Sequence, residues 1–268
     1  MIAESRAALC RGVVRFAILG MIVASCSTDP VGPRRHAALF IGDSIMAEVR
    51  RPLGREMAAR SWNATVVGRP GASLCALRYE FEQKLARHRP EIAVVETQGD
   101  PFSPCMAGGT SGTSVPLGSR EFFRRNRAAM NQFARIAQRY RAHLVFVSPL
   151  PVPGEPTVDS DLSRLRDIER AVASHRPGLV VTDAPRDAVT RRGEFVDALP
   201  CLAEERGRRG CVGGQIRVRD RLQGLHLCPV PYPDIRQTLR GCPEYASGSV
   251  RYARALVRTV VRHRRARP

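Results

Sequence analysis

The sequence predicts an α/β domain built on a mainly parallel sheet. Three observations carry this expectation. Five short apolar runs recur along the chain, helical stretches separate them, and a Gly-Asp-Ser turn closes the first run. Alternation of this kind is what βαβ units around a parallel sheet require.

The elements follow in order. Ala37–Ile41 is a continuous apolar run and reads as a buried strand. After the Gly42-Asp43-Ser44-Ile45 turn, residues 46–61 have helical composition. Thr65–Gly68 is the second strand, Arg78–His88 the next helix and Ile92–Thr97 the third strand. Residues 101–118 are rich in Gly, Ser, Thr and Pro and read as a loop. From Ser119 to Arg141, Phe123, Met130, Phe133, Ala137 and Tyr140 share one helical face, with Arg120, Arg124, Arg127 and Arg135 elsewhere on the wheel. Leu144–Ser148 is the fourth strand. The helix Ser160–His175 takes Asp159 or Ser160 as its N-cap. Leu179–Thr182 is the fifth strand, and residues 185–215 read as a long, charged, irregular segment. The last helix, Ser247–Arg264, packs through Tyr252, Ala255, Leu256 and Val260, and its basic end suits a helix C-terminus.

Ser44 is placed for chemistry. Open α/β sheets carry their sites at the C-terminal ends of the strands. A serine in that turn exposes its hydroxyl and sets its own N–H near a helix start, which suits a nucleophile whose amide steadies an oxyanion. The plainer alternative is that Ser44 caps the helix. A second island, Gln223-Gly224-Leu225-His226-Leu227-Cys228-Pro229, lies near the C-terminus. Gly42-Asp43-Ser44-Ile45 resembles the first block of the GDSL or SGNH hydrolases, and Gly224-Leu225-His226-Leu227 resembles their last, usually Asp-Gly-x-His-Leu. The resemblance spans roughly residues 37–265 and is nearest the secreted, cysteine-containing bacterial branch.

That resemblance implies a three-layer, flavodoxin-like SGNH fold with a mostly parallel five-stranded sheet over residues 37–268. It implies Ser44 as nucleophile and His226 as its base. It implies an oxyanion hole from the N–H of Ser44, that of Gly71 in Arg69-Pro70-Gly71-Ala72 (Gly68 is the alternative) and a third donor. The family sets an asparagine in that third place; here it is Asp100, in Gln98-Gly99-Asp100-Pro101. An ionised carboxylate donates nothing to an oxyanion. A protonated Asp100, or the Gln98 amide, could. The family's acid stands three residues before the histidine, where this chain has Gln223; Asp220 is near but at the wrong offset. These departures leave two expectations. One is an exported esterase or acyl transferase working through a Ser44–His226 dyad on an O-acyl ester of an envelope glycan or lipid. The other is an inactive scaffold that binds an envelope glycan or a protein partner. Neither needs a cofactor, and the chain is expected to act as a monomer.

Composition points to export. The formal net charge is +18, and Lys84 is the only lysine. The arginines are dispersed and no nucleic-acid motif accompanies them, so no nucleic-acid partner is expected; an anionic envelope suits the charge better. Arg6, Arg11 and Arg15 precede a short apolar core, residues 16–24, which is too short for a transmembrane helix. Val23-Ala24-Ser25-Cys26 resembles a bacterial lipobox. Residues 1–25 are therefore expected to be a lipoprotein signal, with Cys26 carrying the lipid; ordinary secretion is the alternative. Residues 26–36 are expected to be a tether. Cys75, Cys105, Cys201, Cys211, Cys228 and Cys242 remain, an even set that suggests disulfides in an exported domain. Fifteen pairings are possible. The expected one is Cys75–Cys105, joining two loops beside the site, with Cys201–Cys211 and Cys228–Cys242 closing short loops. No pair has C-x-x-C spacing and the histidines lie far from the cysteines, so no metal is expected.

Overall fold

Strand β1, His36–Gly42, starts the domain, and its alternating side chains supply both halves of the core. Ala38 and Phe40 face one side of the sheet, while Leu39 and Ile41 face the other. The computed structural model describes residues 36–108, 113–154, 156–220, 224–228, 242 and 245–265. All belong to a compact unit of residues 35–268. The expected signal, Cys26 and Gln223 lie outside the described residues.

Helix α1, Ser44–Ala58, leads to β2, Trp62–Gly68, then α2, Leu74–His88, and β3, Ile92–Glu96. Two short strands, β4 (Ala107–Gly108) and β5 (Thr113–Ser114), interrupt the next loop before α3, Arg120–Arg139. β6 (His143–Val147), α4 (Pro156–Ser174), β7 (Leu179–Thr182) and the short α5 (Ala184–Asp187) follow. β8 (Ala198–Pro200), β9 (Cys211–Val212) and β10 (Gln215–Arg217) form a small antiparallel sheet, and α6, Ser247–Arg265, closes the unit. The main sheet is wholly parallel, in the order β2-β1-β3-β6-β7. This is the expected three-layer, flavodoxin-like architecture. Phe81 of α2, Phe133 of α3 and Leu165 of α4 fill one face with Phe146. Met46 of α1 and Tyr252 and Leu256 of α6 fill the other with Val94. The order reverses between β1 and β3, so the crevice beyond their C-terminal ends is the switch point where such sheets bind ligands.

The expected element cores hold, and several boundaries move. β2 starts three residues early because it is an edge strand, and Asn63, Ala64 and Thr65 there lack the continuous apolar run of a buried strand. α2 starts at Leu74 rather than Arg78. Proline opens α4, so Asp159 is inside the helix and not its cap; its carboxylate accepts the Val152 N–H at 2.9 Å. Residues 185–215 are not irregular throughout, since α5, β8 and β9 lie there and β10 begins at its end. Glu205, fully buried, fastens this segment to Ser247 and Arg251 of α6 and to Tyr245 just ahead of it.

All three disulfides pair as expected: Cys75–Cys105, Cys201–Cys211 and Cys228–Cys242. They suit an oxidising, extracytoplasmic compartment. Among the described residues no helix is long and apolar enough to cross a membrane. Around Cys75–Cys105 the loops after β2 and β3 are also sewn by hydrogen bonds. The Ser73 N–H donates to Ser103 Oγ at 2.8 Å, and Ser73 Oγ donates to the Asp100 carbonyl.

The bridge closes a 30-residue span. A Cys75→Ala/Cys105→Ala variant is expected to lose about 3 kcal/mol and to melt roughly 6–12 °C lower in a domain of this size. Thermal unfolding of both proteins under non-reducing conditions checks this. An unchanged midpoint would show that the hydrogen bonds alone set the loops.

Candidate active site

Ser44 owes its position to Asp43. The buried Asp43 carboxylate caps α1 by accepting the Ile45 N–H at 3.0 Å, so Ser44 is the first helical residue and not the cap. Its other oxygen accepts the Gln98 N–H at 2.7 Å, joining the β1–α1 turn to the end of β3. Gly42 is required there, because a Cβ would lie 2.4 Å from Glu96 Oε2. Asp43 and Glu96 are both fully buried. Asp43 is pushed up to about 7, first by burial and then by the charge of Asp100, against the N–H groups of Gln98 and Ile45. Glu96 is raised well above its ordinary value, again by burial first and then by Asp43.

His226 is held by a residue that the sequence pattern did not single out. Its Nδ1 lies 2.6 Å from Glu48 Oε1, and Glu48 Oε2 accepts the Leu227 N–H at 2.7 Å. Glu48 is fully buried on α1, one turn beyond Ser44. Residues spaced i, i+4 share a helix face, with Cβ atoms about 5–6 Å apart. The nucleophile candidate and the carboxylate that orients the histidine thus come from a single turn. Burial acts to lower the His226 pKa, but the Glu48 hydrogen bond, with the charges of Glu48, Asp220 and Asp43, leaves it raised. Gly224, at φ +64°, lets the His226 loop pack against Pro153 and Phe195, where any Cβ would collide.

Asp220 is corrected as the orienter. With Nδ1 engaged by Glu48, the described bonds of Asp220 to His226 are main-chain ones: Oδ2 accepts the His226 N–H, and the Asp220 N–H donates to the His226 carbonyl, both at 2.8 Å. Gln223 lies outside the described residues. Gln98 is occupied too, since its Nε2 donates to Glu96 Oε1 at 3.1 Å and its Oε1 accepts the Leu150 N–H at 2.9 Å. Gly68 is a packing glycine, because a Cβ would lie 2.3 Å from the Ala47 backbone nitrogen. Gly71 differs. Its φ is +72°, open space surrounds its Cβ position, and among the described residues neither its N–H nor that of Ser44 has a hydrogen-bond acceptor. Asp100, half-buried in the loop after β3, has its pKa raised by burial, with His226 opposing.

Arg219 was also missed. It is fully buried behind the His226 loop, donates from Nη1 to the Leu225 carbonyl at 3.4 Å, and lies 5.7 Å from the centre of the Phe195 ring. Burial brings its pKa down to about 10, opposed by Tyr252, Glu48 and Asp220. No spacing rule marks it in the sequence. Glu48 did leave a signal, as an acidic residue on the apolar stripe of Ile45, Val49 and Leu53. A cleft of about 150 Å³ beside this loop is lined by Pro149, Pro151, Arg166, Arg186, Glu194 and Phe195, among others. Among the described residues no cluster of three His, Cys, Asp or Glu could hold a metal.

A family model described as "Protein of unknown function (DUF459)" matches residues 37–210, a span that includes Ser44, Glu48, Gly71 and Asp100 and stops before His226. No curated protein matches the chain. Among solved structures, a GDSL-like lipase from Bacteroides thetaiotaomicron aligns with TM-score 0.50 and 8% identity, over 85% of this chain and 89% of its own. A G-D-S-L family lipolytic protein from Desulfitobacterium hafniense aligns with TM-score 0.45 and 14% identity, over 82% and 98%. An acetylxylan esterase from Geobacillus stearothermophilus gives 0.43 and 11%, over 57% and 77%.

The dry Asp43–Glu96 pair gives stability a pH dependence. An acid raised in the folded state contributes fully below its unfolded value, and that contribution is lost as pH rises through the folded one. For Asp43 the window runs from 3.8 to about 7. Melting temperature is therefore expected to fall across this window. In Glu96→Gln, which keeps an amide facing Gln98 and removes one titrating group, it should fall less. Parallel curves for the two proteins would contradict this account.

Proposed function

The chain belongs to the DUF459 family and has the SGNH/GDSL hydrolase fold, and from that premise we propose that it is an exported serine esterase or acyl transferase. Its substrate is an O-acyl ester of an envelope glycan or lipid. The observation that carries the proposal is the buried hydrogen bond between the His226 ring and the Glu48 carboxylate, one helical turn from Ser44. A Ser-His dyad thereby becomes a Ser44–His226–Glu48 triad, with its acid supplied by the nucleophile's own helix.

In this mechanism His226 takes the proton from Ser44 as its oxygen attacks the ester carbonyl. The N–H groups of Ser44 and Gly71 receive the oxyanion. Asp100 donates a third hydrogen bond in its neutral form, which burial favours. Glu48 stabilises the imidazolium, which then returns the proton to the departing alcohol. An acyl group remains on Ser44 until water or an acceptor hydroxyl removes it by the reverse steps.

A fluorophosphonate probe is expected to label wild type and not Ser44→Ala. Glu48→Gln should lower turnover of a simple acetyl ester by up to roughly 10⁴-fold, since it keeps the shape and loses the charge. Gln223→Ala should change it little. Activity needs neutral His226, so it should rise with pH through the histidine, whose pKa is raised. Asp100→Asn, which keeps a donor at every pH, is expected to raise turnover on the alkaline side of that rise. If a folded protein goes unlabelled at every pH, the scaffold that binds without catalysis takes its place.

The anchor is a separate proposal, resting on Val23 to Cys26 and on three disulfides that suit an oxidising compartment. Labelled palmitate should enter the full chain and not Cys26→Ala. Equal labelling of both would leave ordinary secretion.

A further inference from the structure

The edge of the sheet opposite Ser44 collects basic side chains. In a parallel α/β unit every helix ends at the edge where the strands begin. Arg60, Arg87, Arg139, Arg262, Arg264 and Arg265 lie exposed there. Five of the six histidines are there as well: His36 and His143 open β1 and β6, while His88, His175 and His263 lie at the ends of α2, α4 and α6. Glu91 ties this edge together. It lies 2.6 Å from His36 Nδ1 and 3.8 Å from Arg264 Nε, and its carbonyl accepts the His143 N–H at 2.9 Å.

Helix dipoles favour cations in a last turn, but they do not account for this edge. Arg89 and Arg141 come after their helices, with φ of 42° and 56°, in the left-handed region where glycine is the usual occupant. Glu56, Glu82 and Glu91 pair with Arg60, Arg139 and Arg264. Arg87, Arg89, Arg141, Arg262 and Arg265 have no acidic partner among the described residues. A groove of about 550 Å³ opens at the same edge. Arg141, His143, His175 and Arg176 line it over a floor that includes Leu144 and Leu179, and no acid is among its lining residues.

We propose that this basic edge docks on an anionic phospholipid bilayer, with its groove receiving headgroups. Charge complementarity is one reason. The other is the course of the chain, which enters β1 at His36, at this edge, ten residues after Cys26. A chain held at Cys26 would bring this edge to the lipid first. Juxtamembrane basic clusters bind anionic leaflets in this way, each cation adding to the affinity. The Ser44 edge then faces away from the bilayer, toward glycan rather than lipid. The docking itself does not depend on the serine chemistry.

Vesicle co-sedimentation tests this with full chain carrying Cys26→Ser, at about 0.1 M salt, where charges are screened beyond about 10 Å. Vesicles of phosphatidylcholine with one-third phosphatidylglycerol are compared with phosphatidylcholine alone. The anionic vesicles are expected to bind at least about tenfold more tightly, and Arg141→Glu/Arg176→Glu to lose on the order of tenfold or more. Arg87→Glu/Arg89→Glu, which leaves the groove intact, should also weaken binding. Arg78→Glu/Arg120→Glu, the same charge change at the starts of α2 and α3, should bind as wild type does. Equal binding to neutral vesicles, an equal loss in the Arg78/Arg120 control, or a soluble polyanion such as duplex DNA bound as tightly as the vesicles would each overturn the proposal.

Discussion

The Asp43 carboxylate is the interaction on which the site depends. One oxygen starts α1 and so fixes where Ser44 stands; the other holds the backbone of Gln98 and so fixes the end of β3. It does this out of reach of bulk solvent, where Gly42 leaves room for nothing larger than hydrogen. Two strands that are neighbours in the sheet are thus locked at their functional ends, beyond the last ladder hydrogen bond, where a parallel sheet would otherwise splay into loops. The cost is a pair of carboxyl groups in a dry interior, relieved by neutralisation rather than by a cation.

The rest of the site is organised by charge over short distances. Glu48 is buried with His226 on one side, and it acts on the fully buried Arg219. A carboxylate between two such groups holds an imidazolium more firmly than one facing solvent, because little water competes for it. Asp220 contributes differently, by fixing the backbone of the same histidine. The loop around His226 is therefore pinned by two acids that do separate work, one on the ring and one on the chain.

Much of this fold was legible in the sequence because buried parallel strands leave continuous apolar runs, and α3 and α6 separate apolar from basic faces cleanly. β2 was read short because an edge strand has only one face to bury. The segment from Pro185 onward was read as irregular because strands of two or three residues carry no period. The three disulfides were legible from the loops they join and close, while Ser44 and His226 rest on two blocks that resemble those of the SGNH hydrolases. Glu48 lies outside the motif around His226, because the contact that matters spans 178 positions. Asp100 stands out in the sequence as a departure from the family's asparagine, yet its consequence turns on burial, which composition does not reveal.

The proposed triad has its acid on α1, which changes what the C-terminal segment must preserve. Where one loop supplies both acid and histidine, a slip of a single residue misplaces both. Here the spacing between Ser44 and Glu48 is set by helical pitch, and the late segment has only to deliver one imidazole to a seat already formed. In the proposed triad nothing just before His226 has to supply the acid, so a glutamine at 223 is no defect. A pattern search that demands an aspartate three places ahead of the histidine would discard such chains. One that asks for Gly-Asp-Ser followed four residues later by a buried glutamate would keep them.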